Sequence, residues 1–308
     1  YTAAPETKSR VVTVNGGYIK GGANYRANNN SNFFFNVGQI MRPPSFDGVF
    51  PNADYDFEEA DEILNESFTS FELGYGFRSS NFKGTINAYH TVWGDRTLRR
   101  STSIDDQGVR IIYSGVEQTH QGIEGEMTWY PSSRLRVKGM FSLGDWKYTK
   151  NFQGDAYFID NNQPAGTTGT LYLDGVKIGD AAQTVLYLGF DYKLSSKLSV
   201  DLDMMSYDNL HGRFGPLDSE FNSDNNRGSI KLPSWGTADL GATYSFSLLG
   251  YDARARLNVN NLFDEEYLSQ SQTNFHNDGG RTWNGINVEN NVYFGKGTTW
   301  NLGLNINF

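Results

Sequence analysis

The sequence predicts an all-β protein, an antiparallel transmembrane β-barrel of which this chain supplies about eleven strands. Three observations carry the prediction. Apolar and polar residues alternate one by one along most of the chain, the period of a strand with unlike surroundings on its two faces. The connections between the alternating segments are short and long by turns. No apolar run nears the 18 residues of a membrane-spanning helix, although 38% of the 308 residues are hydrophobic and 15% aromatic. A barrel shows no such run, because half of each strand faces water.

The alternation places strands at 11–26, 32–42, 66–79, 82–101, 108–130, 135–150, 182–195, 198–213, 233–247, 251–270 and 292–308. In the third, Phe71, Leu73, Tyr75 and Phe77 alternate with Ser70, Glu72, Gly74 and Gly76. In the seventh, Leu186, Leu188, Phe190 and Tyr192 form a stripe whose polar side is blurred by Val185 and Tyr187. In the tenth, Ala253, Ala255, Leu257 and Val259 alternate with Arg254, Arg256, Asn258 and Asn260. The last strand sets Trp300, Leu302, Leu304, Ile306 and Phe308 against Asn301, Gly303, Asn305 and Asn307. One face is greasy and the other rich in amides, as expected of a wall between lipid and a wet lumen.

The short connections are 27–31, 80–81, 131–134, 196–197 and 248–250, each with the Asn, Ser, Gly or Pro of a tight turn. The long ones are 43–65, 151–181, 214–232 and 271–291, with a modest one at 102–107. Turns at one end and long loops at the other are the expected arrangement of an outer-membrane barrel, turns in the periplasm and loops outside. Residues 151–181 read as an extracellular excursion within a barrel portion covering 1–308, with Leu171–Leu173 and Val176–Ile178 flanking a two-residue turn at Asp174-Gly175. Closing eleven antiparallel strands on themselves would pair the first and last in parallel, and leaving them open would strand unpaired backbone groups in lipid. The expectation is therefore a C-terminal half of a larger barrel. A chain that starts at Tyr1 without a signal peptide is then a mature protein or a piece of one.

Composition excludes several functions. The net charge of −9 argues against nucleic acid as a partner. Cys is absent, so thiol chemistry and disulfides are too. His90, His120, His211 and His276 lack metal-ligand spacing, and Asp218, Glu220 and Asp224 do not fit a calcium-loop spacing. No nucleophile elbow or phosphate loop occurs, so no catalytic, cofactor or metal residue is assigned and no enzyme is expected.

Several segments resemble the TonB-dependent outer-membrane receptors, over nearly the whole chain. Arg42-Pro43-Pro44-Ser45-Phe46 is similar to the family's Arg-x-Pro-Ser segment, followed by Asn65-Glu66-Ser67 and Glu72-Leu73-Gly74. Asn258-Val259-Asn260-Asn261-Leu262-Phe263-Asp264-Glu265-Glu266-Tyr267 resembles the penultimate strand and is the most specific signal. Tyr293-Phe294-Gly295, Thr299-Trp300 and Phe308 resemble the last strand, with Thr298 where the family usually has Arg. His120-Gln121-Gly122-Ile123-Glu124 and Gly179-Asp180-Ala181-Ala182-Gln183-Thr184 look like versions from Bacteroidota.

The resemblance implies a 22-stranded barrel in the bacterial outer membrane, with loops extracellular and the C-terminus periplasmic. It implies a plug domain and N-terminal strands of the same protein as partners, besides the bilayer, with the TonB complex engaged through the missing part and a surface lipoprotein as a further partner. The function it implies is import of an iron chelate, cobalamin, glycan or peptide; the alternative is an open porin or a structural protein scaffolding a surface complex. Within it, Trp300 through Phe308 resemble the signal read by the barrel-assembly machinery. Arg254, Arg256, Asn258 and Asn260 are candidates to face the lumen or plug, as are Lys83, Arg136 and Lys138. Trp93 and Arg96, near an extracellular strand end, are candidates to touch substrate.

Overall fold

The computed structural model describes residue 9 and residues 11–50, 63–104, 106–161, 163–165, 169–215 and 218–307. The strands are β1 (Gly17–Arg26), β2 (Ser31–Arg42), β3 (Glu66–Arg78), β4 (Phe82–Ile104), β5 (Gln107–Trp129) and β6 (Leu135–Tyr148). They continue with β7 (Phe152–Phe158), β8 (Gly169–Leu171), β9 (Thr184–Lys193), β10 (Leu198–Asp208), β11 (Trp235–Leu248) and β12 (Tyr251–Asn260). The last five are β13 (Leu268–Ser271), β14 (Thr282–Trp283), β15 (Ile286–Asn287), β16 (Val292–Phe294) and β17 (Thr299–Asn307). Eleven of them form one antiparallel path, β1-β2-β3-β4-β5-β6-β9-β10-β11-β12-β17, open at β1 and β17. It is a partial barrel.

The short connections are held by the side chains that make them short. Asn28 Oδ1 accepts the amide of Asn30 at 2.8 Å, Ser79 Oγ that of Phe82 at 3.1 Å, and Ser195 Oγ those of Lys197 and Leu198 at 3.1 and 3.0 Å. Ser132 Oγ does the same for Leu135 at 3.2 Å. Between β11 and β12, Leu249 (φ 53°) and Gly250 (φ 89°) make the left-handed pair of a primed hairpin turn. All five turns lie at one end of the sheet. At the other lie, of the described residues, 43–50 and 63–65, 149–161, 163–165 and 169–183, 209–215 and 218–234, and 261–298, together with the β4–β5 connection.

Register converts the alternation into two continuous faces. One row runs Phe82, Trp129, Val137, Phe190, Leu202, Leu240, Val259, Trp300 across eight strands; the next runs Tyr192, Val200, Ala242, Leu257, Leu302. Leu302 is 67% exposed and Trp300 72%, a solvent-facing load that only a nonpolar surrounding relieves. The opposite face runs Lys83, Thr128, Lys138, Gly189, Asp203, Asp239, and beside it Arg136, Asp191, Asp201, Gly241, Asn258, Asn301.

The main hydrophobic clusters lie at the long-loop end. One joins Val109, Ile111, Tyr113 and Val116 of β5 to Phe152, Leu171, Leu173, Val176 and Phe221. The second joins Leu210, Ile230, Leu232 and Leu268, with Trp235, Trp283 and Val292 against them. A wall wet on one side and greasy on the other has no interior, so the chain buries its apolar core in its loops.

Several predicted boundaries move. The 11–26 strand begins at Gly17. The 198–213 strand ends at Asp208, whose successors enter the second cluster. The 102–107 connection tightens, Ile104 pairing with Gln107. The 251–270 strand breaks after Asn260: Asn261 (φ 48°) and Asp264 (φ 53°) turn left-handed, and Asn261 binds the Glu265 and Lys296 carbonyls at 3.0 Å. The 292–308 strand divides at the facing position, where Asp264 accepts the Thr298 amide at 2.7 Å. The turn at Asp174-Gly175 forms, but its flanks pair elsewhere, Leu171 with Phe152 and Lys177 with Lys147. Phe308 and residues 51–62 lie outside the described residues.

Candidate functional site

The polar face is a built surface. Its centre is a ladder of charge pairs between strands. Arg136 Nε donates to Asp191 at 2.9 Å, Lys138 Nζ to Asp203 at 2.9 Å, and Arg256 Nη2 to Asp201 at 2.8 Å. Tyr187, whose apolar ring blurred the sequence pattern, lies on this face and donates its hydroxyl to Asp203. Asn258 Nδ2 donates to Asn301 at 2.9 Å and Asn260 Nδ2 to Thr299 at 3.2 Å, so the amide stripe of the last two strands is zipped. Arg254 shares the face but is exposed, near the short-turn end.

The outer end of the same face carries an aromatic and cationic cluster. Trp93 stacks on Phe68 with ring centres 4.9 Å apart, and the Arg96 guanidinium lies 3.9 Å from the Trp93 ring centre. Two groups at those distances cannot share one face of the indole, so both of its faces are covered. Trp93 Nε1 donates to Glu66 at 3.1 Å, and Glu66 also holds Arg42. Tyr148 borders Arg96 and Gln118. The cluster depends on a local irregularity. Trp93 pairs with Gln118, Arg96 with Val116 and Leu98 with Tyr113, so β4 has one extra residue before Arg96 and β5 one extra between Tyr113 and Val116. A step of three along a regular strand sets two side chains on opposite faces; the bulge brings Arg96 back to the face of Trp93. Asp95 (φ 58°) and Gly115 (φ 68°) supply the left-handed backbone.

The candidates Trp93 and Arg96 are thus in contact, and Arg256, Asn258 and Asn260 share one hydrogen-bonded face with Lys83, Arg136 and Lys138. Trp300, Leu302, Leu304 and Ile306 lie on the opposite, apolar face. Sequence reasoning missed Phe68, Glu66, Arg42 and Tyr148 as partners of Trp93 and Arg96. The available signal was Gly94-Asp95 and Ser114-Gly115 inside strand patterns, the mark of a bulge.

The loop carboxylates serve the fold. Asp218 Oδ1 accepts the Glu220 amide at 3.0 Å, and Arg227 binds both Glu220 oxygens, at 3.1 and 2.9 Å. The Arg227 guanidinium holds the Glu220 carboxyl below its ordinary range. The pKa of His211 is pushed down by burial, and its Nδ1 donates to the Ser229 carbonyl at 3.2 Å. No group of three metal-ligating side chains occurs among the described residues.

Comparison with solved structures shows the fold. The ferric preacinetobactin receptor BauA of Acinetobacter baumannii superposes with a TM-score of 0.58 at 16% identity, over 93% of this chain and 36% of the other. The ferric-catecholate import receptor Fiu of E. coli K12 gives 0.58 at 15% identity, over 94% and 34%. The FrpB iron transporter of Neisseria meningitidis gives 0.59 at 15%, over 93% and 38%. The chain therefore spans little more than a third of the length of these neighbours. No curated protein sequence matches it. The family model for the TonB dependent receptor-like β-barrel matches residues 8–262. A wall of eleven antiparallel strands with one apolar and one charged face, matched by that model over most of its length, belongs to the TonB-dependent receptor β-barrel family.

Proposed function

We propose that this chain is part of the barrel wall of an outer-membrane TonB-dependent transporter that imports a nutrient such as an iron chelate, cobalamin, glycan or peptide. The observation that carries the reading is the pair of unlike faces that register makes continuous across the sheet. One suits lipid and the other a polar lumen. In this reading the long loops are extracellular, the short turns and C-terminus periplasmic, and the open edges join N-terminal strands of the same protein. A plug fills the lumen against Arg254, Arg256, Asn258 and Asn260, and the TonB complex is reached through that part.

The cluster at the outer end is the proposed substrate contact. With both faces of Trp93 covered, its role is to orient Arg96, and Arg96 is the group that meets a ligand. Uptake of radiolabelled ferric chelates, cyanocobalamin, oligosaccharides and peptides by cells with and without the full-length gene tests the function. Loss of uptake of one class on deletion, and equally on disabling TonB, is the expected result. Unchanged uptake of all four classes would overturn it.

A further inference from the structure

The apolar face of the wall is almost free of charge. Below the β4–β5 bulge, its only charged side chains among the described residues are Asp145, Lys147 and Asp208. All of them stand at the long-loop end of β6 and β10. Asp145 ends the row Val37, Phe71, His90, Gln121, and Asp208 ends the row Ile123, Leu143, Thr184. At the short-turn end the same face finishes instead on Tyr25, Phe77, Trp129, Tyr192, Tyr244 and Tyr251.

The loops add two cations to the charged rim. Lys177 lies directly opposite Lys147, and both ammonium groups share Asp145. Lys231 pairs with Asp208 at 2.8 Å and lies opposite His211. Ser229 joins the two halves: its hydroxyl donates to the Lys177 carbonyl at 2.9 Å and lies 3.2 Å from His211 Nδ1. Three lysines thus share two carboxylates, a local positive excess in a chain of net charge −9. Like charges opposed across strands destabilise a sheet, and Asp145 alone serves Lys147 and Lys177. The three side chains stay 37–48% exposed, and an ammonium held by one carboxylate has further donors to give.

We propose that this rim seats the phosphate headgroup of an outer-leaflet lipid, held by Lys147, Lys177 and Lys231. The inference rests on the receptor reading, in which the long loops are extracellular. Continuity decides the occupant. The lysines extend the face that meets lipid, at the height where its apolar rows end, so the molecule lying along those rows brings its headgroup to them. Phosphate oxygens accept charge-assisted hydrogen bonds from the ammonium groups, the strong class for anions. The seat is local, because the same face of β1–β3, β11, β12 and β17 carries no cation among the described residues. One sector of the wall therefore holds a particular lipid, where a uniform ring of charge would hold many.

The test uses the full-length receptor in phosphatidylcholine nanodiscs, with bound lipid counted by native mass spectrometry. The probes are diphosphoryl lipid A and the same lipid with its phosphates removed. The wild type should retain the phosphorylated form and release the other. The triple variant Lys147→Gln, Lys177→Gln, Lys231→Gln should bind the phosphorylated form roughly a hundredfold more weakly, the combined effect of three surface lysines on an anionic lipid. Lys197→Gln, in a short turn, should bind as the wild type does. Equal retention of the two lipids by the wild type, or a triple variant that binds as tightly as the wild type, would overturn the seat. Inorganic phosphate that displaces lipid A at equal concentration would make this a site for the free ion and overturn it too. A loss produced by Lys197→Gln and not by the triple variant would overturn the seat together with the orientation of the loops. If the triple variant does not fold, judged by loss of heat-modifiable mobility in SDS gels, the two-lipid comparison on the wild type and on Lys231→Gln decides. Absence of heat-modifiable mobility in the wild type would instead defeat the barrel reading itself.

Discussion

Leu302 and Asn301 are neighbours in β17 with opposite surroundings. Leu302 stands on the apolar face, whereas Asn301 receives the Asn258 amide. Arg at position 302 would place a charge in the lipid, which costs about 2–4 kcal/mol near the midplane. Arg at 301 enters a wet, polar face. Folding of the full-length protein into vesicles under urea should therefore show a large loss for Leu302→Arg and a small one for Asn301→Arg. Equal losses would reverse the assignment of the faces. A second residue carries strain. Leu249 holds φ 53° in a turn that favours Asn-Gly, and left-handed backbone costs a branched side chain roughly 1–2 kcal/mol. Leu249→Asn should raise the urea midpoint by the equivalent of about 1 kcal/mol, since Leu249 is 91% exposed and loses no packing.

At the scale of elements, the loops hold the chain's cohesion. The segment 209–234 touches both clusters, through Phe221 in one and Leu210, Ile230 and Leu232 in the other. Within it Arg227 pairs with Glu220, and Arg227 also ties it to Asp278 of the next loop. The Glu220 carboxyl is held below its unfolded pKa, so the tie contributes above that value and is lost as pH falls through the lowered one. Amide exchange at Phe221, relative to unstructured peptides, should accordingly speed up as pH falls below the ordinary glutamate range, and Arg227→Gln should remove that pH step. A step that survives the substitution would assign it to another carboxylate. The strands were legible because a period of two needs only local residues, and the short turns because their Ser and Asn side chains make the turn. The break at Asn261 was hidden by the continuing alternation around it; only its left-handed backbone and its bonds to Lys296 and Glu265, distant or local, end the strand. The site was legible in part. Trp93 and Arg96 were visible as residue types near a strand end, but their contact required a bulge whose extra residue is defined by the partner strand. The two loop clusters unite residues more than a hundred positions apart, such as Val109 and Phe221, which no local pattern records.

For the whole molecule, the decisive feature is the pair of open edges. Among the described residues, β1 bonds only to β2 and β17 only to β12. In a bilayer every backbone group without a partner costs several kcal/mol, on the order of the price of an unsatisfied buried polar group, so two free edges of nine or ten residues cannot persist in lipid. The neighbours are nearly three times as long as the part of them this chain covers, which leaves room for the strands that would close the wall. The most direct measurement is the structure of the intact protein purified from its native membrane. This architecture requires the amide and carbonyl groups of residues 17–26 and 299–307 that point away from β2 and β12 to bond strands outside these 308 residues. A ladder running directly between β1 and β17, closing a small barrel of this chain alone, would contradict it.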